Sequence, residues 1–310
     1  MPYAISLALG VIVVFIIGRT KGEVEMKRGM LFSTDSMVGS RLPHFVEQVE
    51  ASGFDSLWLP ELFGRDPFVT AGALLGSSQK IHVCTGIANV YARDAIATKG
   101  AAITLSELSG GRFELGLGVS NQVGNRVRGH DWQPPLEKLE QFFTAMEGAQ
   151  MGFETPHPLP IYLAAHGPKL MAFGVQRADG ILTYMATRSH NEQSRKVIGP
   201  DKKLLVVQPC LIEEDAEKAR KWARRAISIY LPLENYHRAW IAQGFDKSDF
   251  DSGGSDRFVD ELVAWGSLDA VRERIESYRQ MGVDEVVLIP LNATSKEGPD
   301  MGVMRELLAD

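Results

Sequence analysis

Eight short apolar runs punctuate the chain, at residues 29–33, 56–61, 82–89, 112–118, 161–165, 180–185, 204–212 and 285–291. Most of them are apolar at successive positions, not at alternate ones. That pattern marks strands covered on both faces, as in parallel sheets. Between the runs, apolar positions space out to a helical period. Leu42, Phe45, Val46 and Val49 follow i, i+3, i+4, i+7, and Leu268, Val271, Ile275 and Tyr278 share one helical face. The passage from helix to strand recurs in similar form. Ser52-Gly53-Phe54-Asp55 precedes the second run, Arg177-Ala178-Asp179-Gly180 the sixth, and Met281-Gly282-Val283-Asp284 the eighth. Gly53 and Gly282 stand where a helix C-terminus takes a left-handed residue. Ser267 is placed to cap the last of these helices.

Alternation of strand and helix predicts an α/β protein with a parallel sheet, and eight units predict closure into a (β/α)8 TIM barrel. The pattern alone leaves an open, doubly wound sheet as the alternative. Residues 213–265 break the rhythm, being long, helical and charged. They read as a helical insertion between strands seven and eight. No stretch resembles a linker, so residues 26–310 read as one barrel domain.

Composition narrows the class. The chain has 310 residues, 45% apolar and 23% charged, with a net charge of −6. That is enough apolar residue for a large core, and the acidic balance predicts no nucleic-acid partner. Cys84 and Cys210 lie in apolar runs and allow neither a CxxC site nor a disulfide framework. Two buried thiols fit a reducing, cytoplasmic setting. Residues 1–18 carry no charged side chain and are largely apolar, while Arg19, Lys21, Lys27 and Arg28 follow. A spanning helix needs about 20 apolar residues. Residues 1–25 are therefore read as an N-terminal extension: a membrane anchor that keeps the body cytoplasmic, or a start-site artefact with Met26 as the true start. Membrane contact is expected only through residues 1–18.

In a barrel of this kind, chemistry gathers where strands end. The residues there include Glu61 after the second run, 85–93 around the end of the third, Gly118, Ser120 and Asn121 after the fourth, Ala165, His166, Gly167, Pro168 and Lys169 after the fifth, and Tyr184 after the sixth. Glycines and small residues dominate, and acid–base groups are few. Glycine lets a flat ring or a phosphate approach the backbone. Gly167-Pro168-Lys169 opens a helix whose first amides and dipole suit an anion, and Lys169 adds charge. There is no P-loop, nucleophile elbow or metal-spaced histidine cluster, so no metal is expected. Gly116-Leu117-Gly118 lacks the third glycine of a dinucleotide fingerprint. Such a pocket suits a cofactor that brings its own chemistry. Glu61 reads as a catalytic or orienting carboxylate, or as the partner of Arg65 or Arg93. His130 reads as a proton donor or a surface histidine. Tyr236-His237-Arg238 reads as a cap from the insertion or as an exposed helix face.

The segment Gly86-Ile87-Ala88-Asn89-Val90-Tyr91-Ala92-Arg93-Asp94, followed by Ser109-Gly110-Gly111-Arg112-Phe113-Glu114-Leu115-Gly116-Leu117-Gly118, resembles the luciferase-like monooxygenase superfamily. The likeness runs from about residue 28 to 291. Ser255-Asp256-Arg257 and Val263-Ala264-Trp265-Gly266 are similar to a branch that uses the deazaflavin coenzyme F420. The resemblance implies a TIM barrel and hydride transfer between F420 and a small organic substrate. It also implies a non-proline cis peptide at Gly86–Ile87 beside the cofactor ring, and the cofactor phosphate at Ala165, His166, Gly167 and Pro168. Asn89, Gly118, Ser120, Asn121 and Tyr184 are then expected to line the same site, and Glu61 matches an acidic position after strand two. A homodimer is expected as well. One position departs from the pattern: sugar-phosphate dehydrogenases of the superfamily carry a histidine where this chain has Leu62, which counts against alcohol oxidation by that relay. An FMN-dependent monooxygenase and a non-catalytic flavin-binding barrel are the alternative readings.

Overall fold

The computed structural model describes residues 25–292 and 298–309. The apolar extension expected at residues 1–25 therefore lies almost wholly outside the described residues. Eight parallel staves close a barrel: β1 (Lys27–Leu31), β2 (Ser56–Leu59), β3 (His82–Thr85) with its continuation β4 (Ala88–Asn89), β5 (Phe113–Gly118), β6 (Ile161–Ala164), β7 (Gly180–Tyr184), β8 (Lys203–Ile212) and β10 (Glu285–Pro290). Closure is made where β10 pairs with both β8 and β1. The open-sheet alternative is thereby excluded. Two details differ from the sequence reading. The third run is broken at Gly86–Ile87, so that β3 pairs with β2 and β5 while β4 pairs with β5 alone. An added short strand, β9 (Ala264–Gly266), lies along the end of β8.

Helices α1 (Leu42–Ala51), α2 (Pro67–Gly76), α3 (Ala95–Ser109), α4 (Gln122–Val127), α5 (Pro135–Gly148), α6 (Pro168–Arg177) and α7 (Arg188–Ile198) follow the first six staves. The insertion after β8 holds α8 (Ala216–Ile227), α9 (Glu234–Ala242) and α10 (Asp256–Leu262). Then α11 (Leu268–Gln280) returns to β10, and α12 (Met301–Leu308) closes the described chain. No described helix is long and apolar enough to cross a membrane. Asp66, Asp94, Thr187, Asp215, Ser255 and Ser267 each accept a backbone N–H in the first turn of their helix, meeting donors that the helix itself leaves unpaired. Gly53 and Gly282 take φ of +90° and +75°, the left-handed stops read from the sequence.

The motif most specific to the resemblance proves to be scaffolding. Gly110 ends α3 in the left-handed region. Arg112, at the foot of β5, donates to the carbonyls of Leu75, Ile81 and Ser109 and to the Ser78 hydroxyl. It ties α2, β3 and α3 together at the N-terminal end of the barrel.

That end is closed by a buried polar floor. Glu285 Oε1 accepts from the Ser56 hydroxyl at 2.5 Å and from Trp58 Nε1 at 2.8 Å. Glu114 lies 2.8 Å from His82 Nδ1 and 3.9 Å from Lys27 Nζ. The two carboxylates divide their labour. Burial and the Glu114 charge raise Glu285 to about 7. Burial also acts to raise Glu114, but His82 and Lys27 outweigh it and hold that carboxyl below its ordinary value. Above the floor, Trp58, Cys84, Tyr162, Leu182, Leu205 and Val287 fill the barrel interior. The insertion has its own core of Ala223, Ile227, Trp240, Phe245, Phe250, Phe258 and Val259.

Candidate cofactor and active site

The C-terminal mouth is shaped by the break in stave three. The Gly86–Ile87 peptide is cis, as the resemblance implies. Gly86 N donates to Leu59 O at 2.8 Å, and Ile87 O accepts from Glu61 N at 3.3 Å. Neighbouring glycines make room for the bulge. A Cβ at Gly116 would overlap the Thr85 carbonyl oxygen, and one at Gly118 would lie 3.0 Å from Ile87 Cγ1.

A clamp holds the bulge in place. Glu61, whose side chain is 5% exposed, accepts from Asn89 N at 2.7 Å and Arg93 Nη1 at 3.0 Å through one oxygen, Oε2. Arg93 reaches Asp66 at 2.6 Å with its other arm and stacks 4.6 Å over Phe68. Of the two partners considered for Glu61, the structure selects Arg93; Arg65 bonds instead to backbone of the loop after β1. The Asn89 side chain is held on both sides: Nδ2 donates to Asn125 Oδ1, and Oδ1 accepts from Tyr91 N. These two bonds position the loop after β4.

His130 follows α4, its ring tilted 5.9 Å from that of Tyr91. It has no side-chain hydrogen bond among the described residues, and no hydrogen bond or ion pair joins it to Glu61. Ser120, just after β5, takes φ of +56°, and Asn121 caps α4 by accepting from Gly124 N. Leu62 and Phe63 are 50% and 68% exposed on the rim, where the Arg128 guanidinium lies 5.3 Å over Phe63.

Across the mouth, α6 begins as the sequence predicts. Gly167 is the N-cap residue and offers no side chain, Pro168 follows it, and Met171 N makes the first helical bond back to Gly167 O. The amides of Lys169 and Leu170 precede that bond and face outward from the helix end. A Cβ on Gly167 would meet nothing within 4 Å, so the approach is open. Lys169 is exposed and makes no ion pair among the described residues. His166 is different: its Nδ1 is buried without a hydrogen-bond partner. Burial, then the nearby His190, lowers its pKa to about 4, so it is a neutral ring at pH 7. Tyr184 ends β7 with its hydroxyl 2.5 Å from that of Tyr230, and burial pushes its pKa well up. His190 and Tyr230, which the sequence reading passed over, thus belong to this wall. The signal for His190 was its place early in the helix that follows stave six.

The structure gathers a glycine-lined bulge, a buried carboxylate–guanidinium clamp and an open helix start around one barrel mouth. That arrangement defines a barrel built to seat a cofactor. The luciferase-like monooxygenase family matches residues 24–285, and the chain belongs to it. The 5,10-methylenetetrahydromethanopterin reductase of Methanolobus tindarius is 28% identical over 291 residues, covering 80% of this chain and 89% of the relative. An F420-dependent secondary alcohol dehydrogenase, solved with an F420–acetone adduct, superposes with a TM-score of 0.72 at 15% identity, covering 91% of this chain and 97% of that one. The oxygenating constituent of 3,6-diketocamphane monooxygenase from Pseudomonas putida, solved with FMN, superposes at 0.67 and 12% identity, covering 91% and 96%. Proteins of this fold thus include one solved with F420 and one solved with FMN, and the fold alone does not choose between them.

Proposed function

We propose that this chain is an F420-dependent oxidoreductase that reduces an activated double bond in a small organic substrate. The carrying observation is the α6 start. It offers open backbone donors, a neutral histidine with a buried, unpaired Nδ1 and one exposed lysine, and no buried cation stands in residues 164–170. Such a set matches the single charge of a phosphodiester better than the dianion of a terminal phosphate, which calls for more side-chain cations. The reductases among the relatives point the same way.

In this reading Gly86 and Ile87 seat the ring, with Gly118 giving room behind them. Ser120 and Asn121 meet the chain that leaves the ring. Ala165, His166, Gly167 and Pro168 hold the phosphate, while Lys169 faces the tail beyond it. Glu61 and Arg93 keep the seat rigid. Bound F420 supplies hydride chemistry, because the ring carries carbon where reduced FMN reacts with dioxygen. His130, whose ring makes no hydrogen bond among the described residues, would be the group to supply the proton that accompanies the hydride. With Leu62 in place of a histidine, no relay for alcohol oxidation stands at that position.

The test is a titration of oxidised F420 and of FMN against wild type and Gly167→Asp, followed by absorbance. Wild type is expected to bind F420 tighter. The variant, which the open space around Gly167 lets fold normally, is expected to lose at least tenfold through repulsion of the phosphate. Tighter FMN binding by wild type, or an unaffected variant, refutes the assignment.

A further inference from the structure

A group of side chains opposite the α6 start has no role in the mechanism above. His190 lies early in α7, and its Nε2 is buried without a hydrogen-bond partner. Its ring centroid is 6.2 Å from that of His166, whose Nδ1 is also buried and unpaired. Tyr236, on α9 of the insertion, stands 6.0 Å from His166 on an edge-to-face approach. The Tyr236 hydroxyl makes no hydrogen bond among the described residues, while its ring is held by Tyr230, Tyr184 and Trp240. Next to His190, Asn191 is wholly buried. Its Oδ1 is taken by the Thr183 hydroxyl, and its Nδ2 is left unpaired.

Buried polar atoms are almost always paired, and each one left unpaired costs about 1–3 kcal/mol. Several such atoms around one histidine point to a missing partner. Two hydrogen bonds of about 2.8 Å from a single oxygen span the separation of the His166 and His190 rings. Burial lowers the pKa of both imidazoles, so each carries one N–H at neutral pH and no charge. The hydroxyl of Tyr236 adds a third neutral donor. We infer that His190 and Tyr236 form the second wall of the anion pocket opened by Gly167, and that they donate to a phosphodiester oxygen of the bound cofactor. The insertion then contributes directly to cofactor binding, through one side chain of α9. This inference rests on the F420 reading, which it makes more specific.

Three proteins and two probes test it: wild type, Tyr236→Phe and His190→Leu, each titrated with F420 and with the same deazaflavin riboside lacking the phosphate. Tyr236→Phe removes one oxygen and keeps the ring packing, so it guards against a folding defect in the histidine variant. One lost neutral hydrogen bond corresponds to about 5–10-fold in affinity. Both variants are expected to weaken F420 by about that factor and to leave the phosphate-free probe within twofold of wild type. Equal F420 binding by all three proteins overturns the inference, as does equal weakening of both probes, which would mean that the residues only support the packing of the insertion against the barrel. If wild type prefers FMN, the F420 reading fails on its own. The same variants titrated with FMN and riboflavin then decide whether the two side chains hold a phosphate.

Discussion

Replacing Glu285 by glutamine should change how stability depends on pH. Glu285 is 4% exposed, and its carboxyl is raised to about 7 from an ordinary 4.5, first by burial and then by the Glu114 charge. The folded protein therefore keeps a proton that the unfolded chain releases between those values. Over that window the folded state binds more protons, so stability falls as pH rises, by about 1.4 kcal/mol per unit. It levels off above about pH 7. Integrated from pH 5 to pH 8, the loss is on the order of 2–3 kcal/mol. Glutamine stays neutral, and its Oε1 can still accept from Ser56 and Trp58. Its second N–H adds a cost, but that cost does not vary with pH. Glu114 titrates below its ordinary value and adds nothing to the slope in this range. Urea unfolding of both proteins at pH 5, 6, 7 and 8 should show the variant gaining on wild type by roughly 2–3 kcal/mol across the series. A difference that stays constant with pH would show that Glu285 is ionised in the folded protein, and the account of the floor would be wrong.

Other parts of the structure give further expectations. A Cβ on Gly29 would lie 2.5 Å from Glu285 Oε1 and 3.0 Å from Trp58 Nε1. Gly29→Ala should therefore destabilise by about 1–3 kcal/mol through overpacking, read from the urea midpoint. Arg93→Met leaves Glu61 buried without its ion-pair partner and should cost about 3 kcal/mol, with weaker cofactor binding as the bulge loosens. We also propose a homodimer in which the exposed Val69 of α2 and Leu108 of α3, each 75% exposed, are covered by the second copy. Light scattering should give twice the chain mass, and Leu108→Lys should shift it toward the monomer; a monomeric wild type rejects the interface.

The staves were legible because a strand covered on both faces needs apolar side chains at consecutive positions, and all eight runs became strands. Glycine stops were legible for a local reason: Gly53 and Gly282 each solve a helix end within a few residues. The break in stave three followed only from the resemblance, since 82–89 reads as one continuous strand. The polar floor was hidden. Glu114 and Glu285 are single carboxylates in apolar runs, and what makes them tolerable lies far off in sequence; Ser56 is 229 residues from Glu285. The same holds for the clamp, where local sequence left Arg65 and Arg93 equally good partners for Glu61. Ser-Gly-Gly-Arg-Phe identified the family well but pointed away from the site, because Arg112 works at the opposite end of the barrel. His190 was overlooked because a polar residue early in a helix looks like ordinary solvent-facing surface.

The aromatic core of the insertion packs against Met185, Tyr184 and Leu291 at the barrel mouth, and polar contacts tie the two together: the Tyr184–Tyr230 hydroxyl pair, Thr187 N to Gln243 Oε1, Gln208 Nε2 to Leu262 O, and Trp240 Nε1 to Met185 O. The staves do not depend on these contacts for their own pairing. Residues 213–263 contribute no stave, so changes there that keep these contacts and Tyr236 leave the strand pairing of the barrel intact. Selection for a new substrate has a region of its own to work on, and chimaeras joined at the end of β8 and the start of β9 offer a practical route to redirect such an enzyme.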